Sequence, residues 1–442
     1  MPSREELKAQ VRRAIDSAGE EIVGVAQAIL RHPEPGFREV KTSKLVAERL
    51  AALGIPHQTG IALTGVKGEV RCGSPGPSVA VLGELDSLIV STHPYADPTT
   101  GAAHACGHHA QIGMLLGVAY ALARSDVARH LAGRVVLIAV PAEEYIEIEY
   151  REGLREQGKV EFLGGKPEFI RLGALDDVHM AMMVHTTSNP EEKLLALSGT
   201  NNGIVAKQVH FTGRAAHAGS SPHLGVNALN AAMLALAAIH ANRETFRDDD
   251  TVRVHPIITK GGEAVSSVPA DVRLETFVRG RTVEAFTDAS AKVDRALRAG
   301  AMAVGAKVRI KTLPGYLPLR NDPNFAAVFR QNAVALVGEE NVAQITHRTG
   351  STDMGDVSQI MPAIHPYAGG ARGIGHGADY VVQDWERAVL NPARCMAMTL
   401  VDLLADGAKL AGEIRAKHRP AMTKEEYLRF MRSLFSDVTY EE

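Results

Sequence analysis

Cysteine is scarce in this chain. Three residues in 442, Cys72, Cys106 and Cys395, are too few for a disulfide framework. Charge of one sign is not in excess either. Lys and Arg number 48 against 51 Asp and Glu, and the net charge of −3 gives nucleic acid or an anionic membrane little to grip. No apolar run approaches the roughly 20 residues that a bilayer-spanning helix needs. The opening Met1-Pro2-Ser3-Arg4-Glu5-Glu6 is charged and has no apolar signal core. No internal repeat or low-complexity tract occurs. These absences lead us to expect a cytoplasmic protein that acts on a small molecule, with neither nucleic acid nor membrane as partner.

What is present is enough for two domains with a large core: 45% of residues are hydrophobic and 22% charged. Apolar residues recur at a helical period over residues 4–31, and a second helix is expected from about Thr42 to Leu53. Ser78 to Gly83 is continuously small or branched apolar, the pattern of a buried strand, and delivers Glu84-Leu85-Asp86 to its C-terminal end. In open α/β sheets that end is where sites lie. A second buried strand, Val135 to Val140, ends in Pro141-Ala142-Glu143-Glu144, and a third run, Met180 to Val184, ends in His185. A helix over 110–124 lies between the first two. Glu147 to Arg171 is longer than a simple connection needs and carries Arg151, Arg155, Lys159, Lys166 and Arg171. It reads as a solvated charged helix, or as a segment that lines the pocket.

The character changes near residue 200. Strand, helix, strand, strand, helix and strand follow in turn to about residue 315, the order of a ferredoxin-like unit. The expected architecture is therefore α/β. A catalytic domain, a mixed sheet flanked by helices, takes residues 1–199 and 316–442, and a lid or dimerisation domain is inserted at 200–315.

The densest chemistry lies in His104-Ala105-Cys106-Gly107-His108-His109, a tight loop opening a buried helix. A Cys-x-His pair can bind a divalent ion through sulfur and nitrogen. Cys106, His108, Glu144, His185 and His376 together make a donor set for two zinc-like or manganese-like ions. Glu143 is then free to act as general base, and Asp86 could orient a ligand from behind. In the small domain, His217 on a Gly-rich turn could donate to a substrate oxyanion. Arg279, ending a strand, could clamp a substrate carboxylate. Cys72 and Cys395 read as packed thiols.

In these pieces the chain resembles the aminoacylase and zinc-carboxypeptidase family of dinuclear metallohydrolases. It is most similar to the amidohydrolase branch that includes aminobenzoyl-glutamate hydrolase and the auxin-conjugate hydrolases. The resemblance is carried by Gly83-Glu84-Leu85-Asp86-Ser87-Leu88, the Cys106 loop, Pro141 to Glu144, Val184-His185, Gly213 to Gly219, Ser351 to Val357 and Gly375-His376. It implies that Cys106 bridges the two ions and that His108, Glu144, His185 and His376 complete their shells. It also implies that Glu143 is the base and that His217 reaches the partner's active site in a dimer, so a homodimer or higher homo-oligomer is expected. The activity implied is hydrolysis of an N-acyl or N-aroyl amino acid.

Two departures bear on the substrate. Ser266-Ser267-Val268-Pro269 stands where the family often has Asn-Val-Ile-Pro, so Ser266 replaces a substrate-contacting amide. Tyr145-Ile146 follows the carboxylates in place of glycines. They keep a second expectation open, a hydrolytic deaminase of an aminoaromatic compound on the same site. A third is a metal-binding protein without catalysis.

Overall fold

A computed structural model describes residues 2–441 of the chain. They form two compact units. The larger comprises residues 2–199, 320–347 and 356–423, and the smaller 200–319, 348–355 and 424–441.

The larger unit is built on a six-stranded mixed sheet. Its strand order is His57–Ile61, Gly65–Arg71, Ala132–Val140, Ser74–Glu84, Met180–Met182, Ala363–Ile364. The central Ser74–Glu84 strand runs parallel to both its neighbours, and all its residues from Ser78 to Glu84 are buried. Continuous burial explains why that strand is apolar throughout instead of alternating. The helix His108–Ala123 is buried on every side from His108 to Leu122, so it too lacks a polar face. It packs in one core with the helices Arg4–Ser17, Gly19–Leu30 and Asn391–Leu404. The single periodic stretch expected over 4–31 is thus two helices, broken at Ala18, which leaves the helical region at φ −103°, ψ 6°.

The segment Glu147 to Arg171 is not a solvated helix. It forms two short helices, Ile148–Glu156 and Gly165–Arg171, which bury Arg151, Glu152, Lys166 and Glu168. Arg151 and Lys166 face inward because they satisfy carbonyls and a carboxylate of the site described below, while Glu168 and Glu152 pair within the segment, with Arg171 and Arg155.

The smaller unit is a five-stranded antiparallel sheet in the order Arg253–Lys260, Asp271–Gly280, Gly203–Thr212, Lys307–Pro314, Ser436–Tyr440. The first four strands with the helices Ala228–Ala241 and Val283–Met302 are the ferredoxin-like arrangement. The fifth strand corrects the expected domain bounds, since residues 424–441 belong to the small unit and not to the catalytic one. Tyr427 and Met431 are its buried anchors on the helix Lys424–Ser433. Among the described residues all three cysteines are free, and no single helix is long and apolar enough to cross a membrane.

Candidate metal centre

Four chain segments deliver the expected donors to one end of the large sheet. Gly107 opens the first at φ 103°, and a Cβ there would lie 2.0 Å from Thr186 Oγ1, so the loop closes this tightly only with glycine. The turn sets Cys106 and His108 beside each other. Cys106 Sγ lies 3.3 Å from His185 Nε2. His376 Nε2 is 3.6 Å from Glu144 Oε1, and His108 Nε2 is 3.9 Å from the same oxygen. Cys106, His108 and His185 present donor atoms within 4.8 Å of one another, as do Cys106, Glu144 and His376. Cys106 is common to both sets, which is the position of a bridging ligand.

Strain gathers in the same place. Ala142, just before the two carboxylates, sits at φ 57°, and His376 at φ 67°, where non-glycine residues seldom stay without external constraint. The constraint on His376 is visible: its N–H donates to Ala105 O at 2.9 Å, tying the last ligand to the Cys106 loop. Ala142 is held from both sides. Its N–H donates to Glu39 Oε1 at 2.8 Å, and its carbonyl accepts from Arg151 Nη1 at 3.1 Å. Arg151 also donates to Leu163 O at 2.7 Å and to Glu144 O. Its guanidinium stacks on Phe37, and a Cβ on Gly36 would come within 2.3 Å of Arg151 Nη2. Burial, reinforced by the charge of Asp86, pushes the Glu39 carboxyl up to about 8.

Asp86 orients two of these groups. One oxygen accepts from the Glu144 N–H at 2.8 Å, and the other lies 3.2 Å from His108 Nδ1, which also meets Asp86 O at 2.9 Å. With Nδ1 engaged by Asp86, Nε2 is the nitrogen of His108 that faces the donor set. Burial opposes a charge on His108, yet Glu84 and Cys106 outweigh it and raise its pKa well above the usual range. The pocket therefore attracts positive charge. His108 Nε2 and Glu144 Oε1 are buried and make no hydrogen bond. A buried ring nitrogen and a buried carboxylate oxygen left without partners are costly, and a cation between them would satisfy both. The sulfur, imidazole and carboxylate donors accordingly fit divalent ions.

Glu143, His217, Ser266 and Arg279 complete the predicted set. Glu143 is buried, with Oε2 3.8 Å from His108 Nε2. In the small unit His217 is exposed, and its Nδ1 accepts from the N–H groups of Gly219 and Ser220, each at 3.1 Å. That fixes the tautomer with the proton on Nε2, the donor form required for an oxyanion. Ser266 is exposed close by, its carbonyl accepting from Ala218 N–H at 2.8 Å. Arg279 is not with them. It pairs in the sheet with Ile204 and Arg253, eight residues along its strand from Asp271, or roughly 27 Å at about 3.4 Å per residue.

Nothing in the sequence pointed to Glu39 or Gln111, and it placed Glu84, Arg151 and Lys166 near the site without a role. Glu84 carried a usable signal, because it ends the same buried strand that delivers Asp86. Arg151 and Lys166 fitted a solvated helix and a pocket-lining segment equally, since a charged insertion is compatible with both.

Two overlapping donor sets with the buried Glu143 carboxylate adjacent define a dinuclear metallohydrolase centre. Residues 80–400 match Peptidase family M20/M25/M40, and the chain belongs to that family. It is similar to the Xaa-Arg dipeptidase of Mus musculus, at 28% identity over 445 residues, covering 96% of this chain and 94% of that one. It is also similar to the IAA-amino acid hydrolase ILR1-like 4 of Arabidopsis thaliana, at 27% identity over 364 residues, covering 79% and 77%. The fold is shared with the YXEP protein of Bacillus subtilis, a dinuclear metal binding peptidase from the M20 family. The TM-score is 0.64 at 20% identity, with 88% of this chain and 99% of that one covered. The protein is a metal-dependent hydrolase acting on C–N bonds.

Proposed function

We propose that the protein hydrolyses the amide bond of an N-acyl or N-aroyl amino acid, a dipeptide being the simplest case, and releases the amino acid. The observation that carries this is Glu143, a buried carboxylate beside the five donors and belonging to neither Cys106-sharing set. The dipeptidase and the auxin-conjugate hydrolase named above support it, since both cut an amide whose leaving group is an amino acid. Cys106, His108, Glu144, His185 and His376 would hold the two ions, zinc or manganese, which would supply Lewis acidity to the carbonyl and to water. Glu143 accepts the proton of the attacking water and returns it to the leaving nitrogen. Asp86 keeps His108 in the tautomer that presents Nε2.

His217 Nε2–H donates to the developing oxyanion, and we assign it to the site of a second protomer. Its place supports that assignment: His217 lies at the opposite end of the small sheet from Gly203 and Pro314, where the chain enters and leaves. The strand Arg253–Lys260 is the outer edge of that sheet and exposes Ile257 and Ile258, which suits pairing in a homodimer. Arg279 is assigned to the substrate carboxylate and Ser266 to a polar contact beside His217. We place the enzyme in the cytoplasm.

A panel of N-acetyl and N-benzoyl amino acids and Xaa-Arg dipeptides, with free amino acid and ammonia quantified in parallel, tests the reading. Amino acid release is expected. Ammonia release without it would replace the amidase with the deaminase, and neither product across the panel would remove both.

A further inference from the structure

The donor set contains a carboxylate that the five expected ligands do not include. Glu84 is fully buried at the end of the central strand, and its Oε2 lies 3.1 Å from His108 Nε2. His108 Nδ1 is already engaged with Asp86, so Nε2 is the ring nitrogen that faces Glu84. A ring nitrogen and a carboxylate oxygen at that separation share one positive charge, and a metal ion held by both takes the place of the proton. Glu84, His108 and Glu143 also form a third donor set within 4.8 Å, separate from the two that share Cys106.

The rest of the Glu84 environment holds that oxygen in place. Gln111 Nε2 donates to Oε2 at 2.7 Å, and Gln111 Oε1 accepts from the Glu84 N–H at 3.2 Å. Lys166 Nζ, wholly buried, donates to Oε1 at 2.6 Å. Lys166 comes from the long segment after Glu144, so that segment supplies a counter-ion to the centre.

We propose that Glu84 is a carboxylate of the metal centre itself, set against the same cation as His108 Nε2, with Lys166 as the buried counter-ion that offsets its charge. The inference rests on the metal centre and not on the proposed substrate or base, so loss of hydrolysis alone has no bearing on it. One consequence has a sign. Removing the Glu84 charge weakens ion binding, whereas removing the Lys166 charge leaves an extra negative charge and holds the ion at least as tightly. A pair that is only structural would be hurt alike from either side.

The test is metal content and affinity of the full chain, stripped with chelator and reloaded in buffered Zn²⁺ alone and in Mn²⁺ alone, for wild type, E84Q, K166M and the double variant. For E84Q we expect the weaker dissociation constant to rise at least tenfold, or stoichiometry to fall from two ions toward one. K166M is expected to bind as tightly as wild type or tighter, and the double variant to stay as weak as E84Q. Should E84Q not fold, E84D, which shortens the reach by one methylene, is expected to show the same loss. Unchanged affinity in E84Q or E84D overturns the proposal, as does loss in K166M equal to that in E84Q, or recovery in the double variant.

Discussion

Arg151→Met isolates the part that the inserted segment plays in the site. The substitution keeps most of the apolar stem and removes a guanidinium that serves three main-chain carbonyls, those of Ala142, Glu144 and Leu163. Each carbonyl left buried without a donor costs about 1–3 kcal/mol, so the three together amount to roughly 3–9 kcal/mol. Part is recovered, because no carboxylate lies within ion-pair distance of Arg151 among the described residues, and its buried charge carries a desolvation cost of several kcal/mol. The net expectation is a loss of about 2–5 kcal/mol in the urea transition of the larger unit. Ala142 and Glu144 lose their shared restraint, so the Glu143 carboxylate shifts, and misplacement by about 1 Å can lower turnover 100-fold. Arg151→Lys, with one or two of the three bonds recoverable, should fall between. Equilibrium denaturation, metal content and turnover on the best substrate of the panel give the readouts. An R151M protein within 1 kcal/mol of wild type, with both ions and turnover within threefold, would refute the clamp.

Three further outcomes are expected. Glu143→Gln should lower turnover at least 10³-fold while retaining both ions, and full activity would remove Glu143 as base. His217→Asn should lower turnover about 10²–10³-fold with unchanged metal content. Mixing it with E143Q through dissociation and reassembly should restore on the order of a quarter of wild-type activity if His217 serves the partner's site, because only one site of each mixed dimer keeps both residues. Glu39→Gln should alter the dependence of stability on pH. The folded carboxyl is raised from 4.5 to about 8, so its contribution is complete below pH 4.5 and is lost as pH rises through 8. That slope, at most about 5 kcal/mol over the window, should be absent from E39Q denaturation curves between pH 5 and 8; parallel curves would exclude it.

Much of the site was legible because buried parallel strands must be apolar until they end, and the first polar residue beyond the end is then conspicuous. Glu143 and His185 announce themselves in this way, as does Glu84, with Asp86 two residues beyond it. The small unit was legible from alternation, since its strands have one buried and one wetter face. Arg151 and Lys166 were not, because a cation's burial depends on acceptors distant in the chain: Leu163 O and Ala142 O for one, Glu84 for the other. The last strand was hidden too, for Ser436–Tyr440 is largely exposed and has no apolar face of its own. Its pairing with Lys307–Pro314 is set by main-chain hydrogen bonds, which no side-chain pattern records.

That final strand makes the tail a seal. It zips along Val308 to Thr312, and Arg309 grips Asp437 across the seam. A gene shortened after codon 423 would expose a row of unsatisfied amides flanked by Val308 and Ile310, an invitation to stack on any strand nearby. Purification handles placed at this end need a spacer beyond Tyr440, so that the seam can close before the handle is pulled.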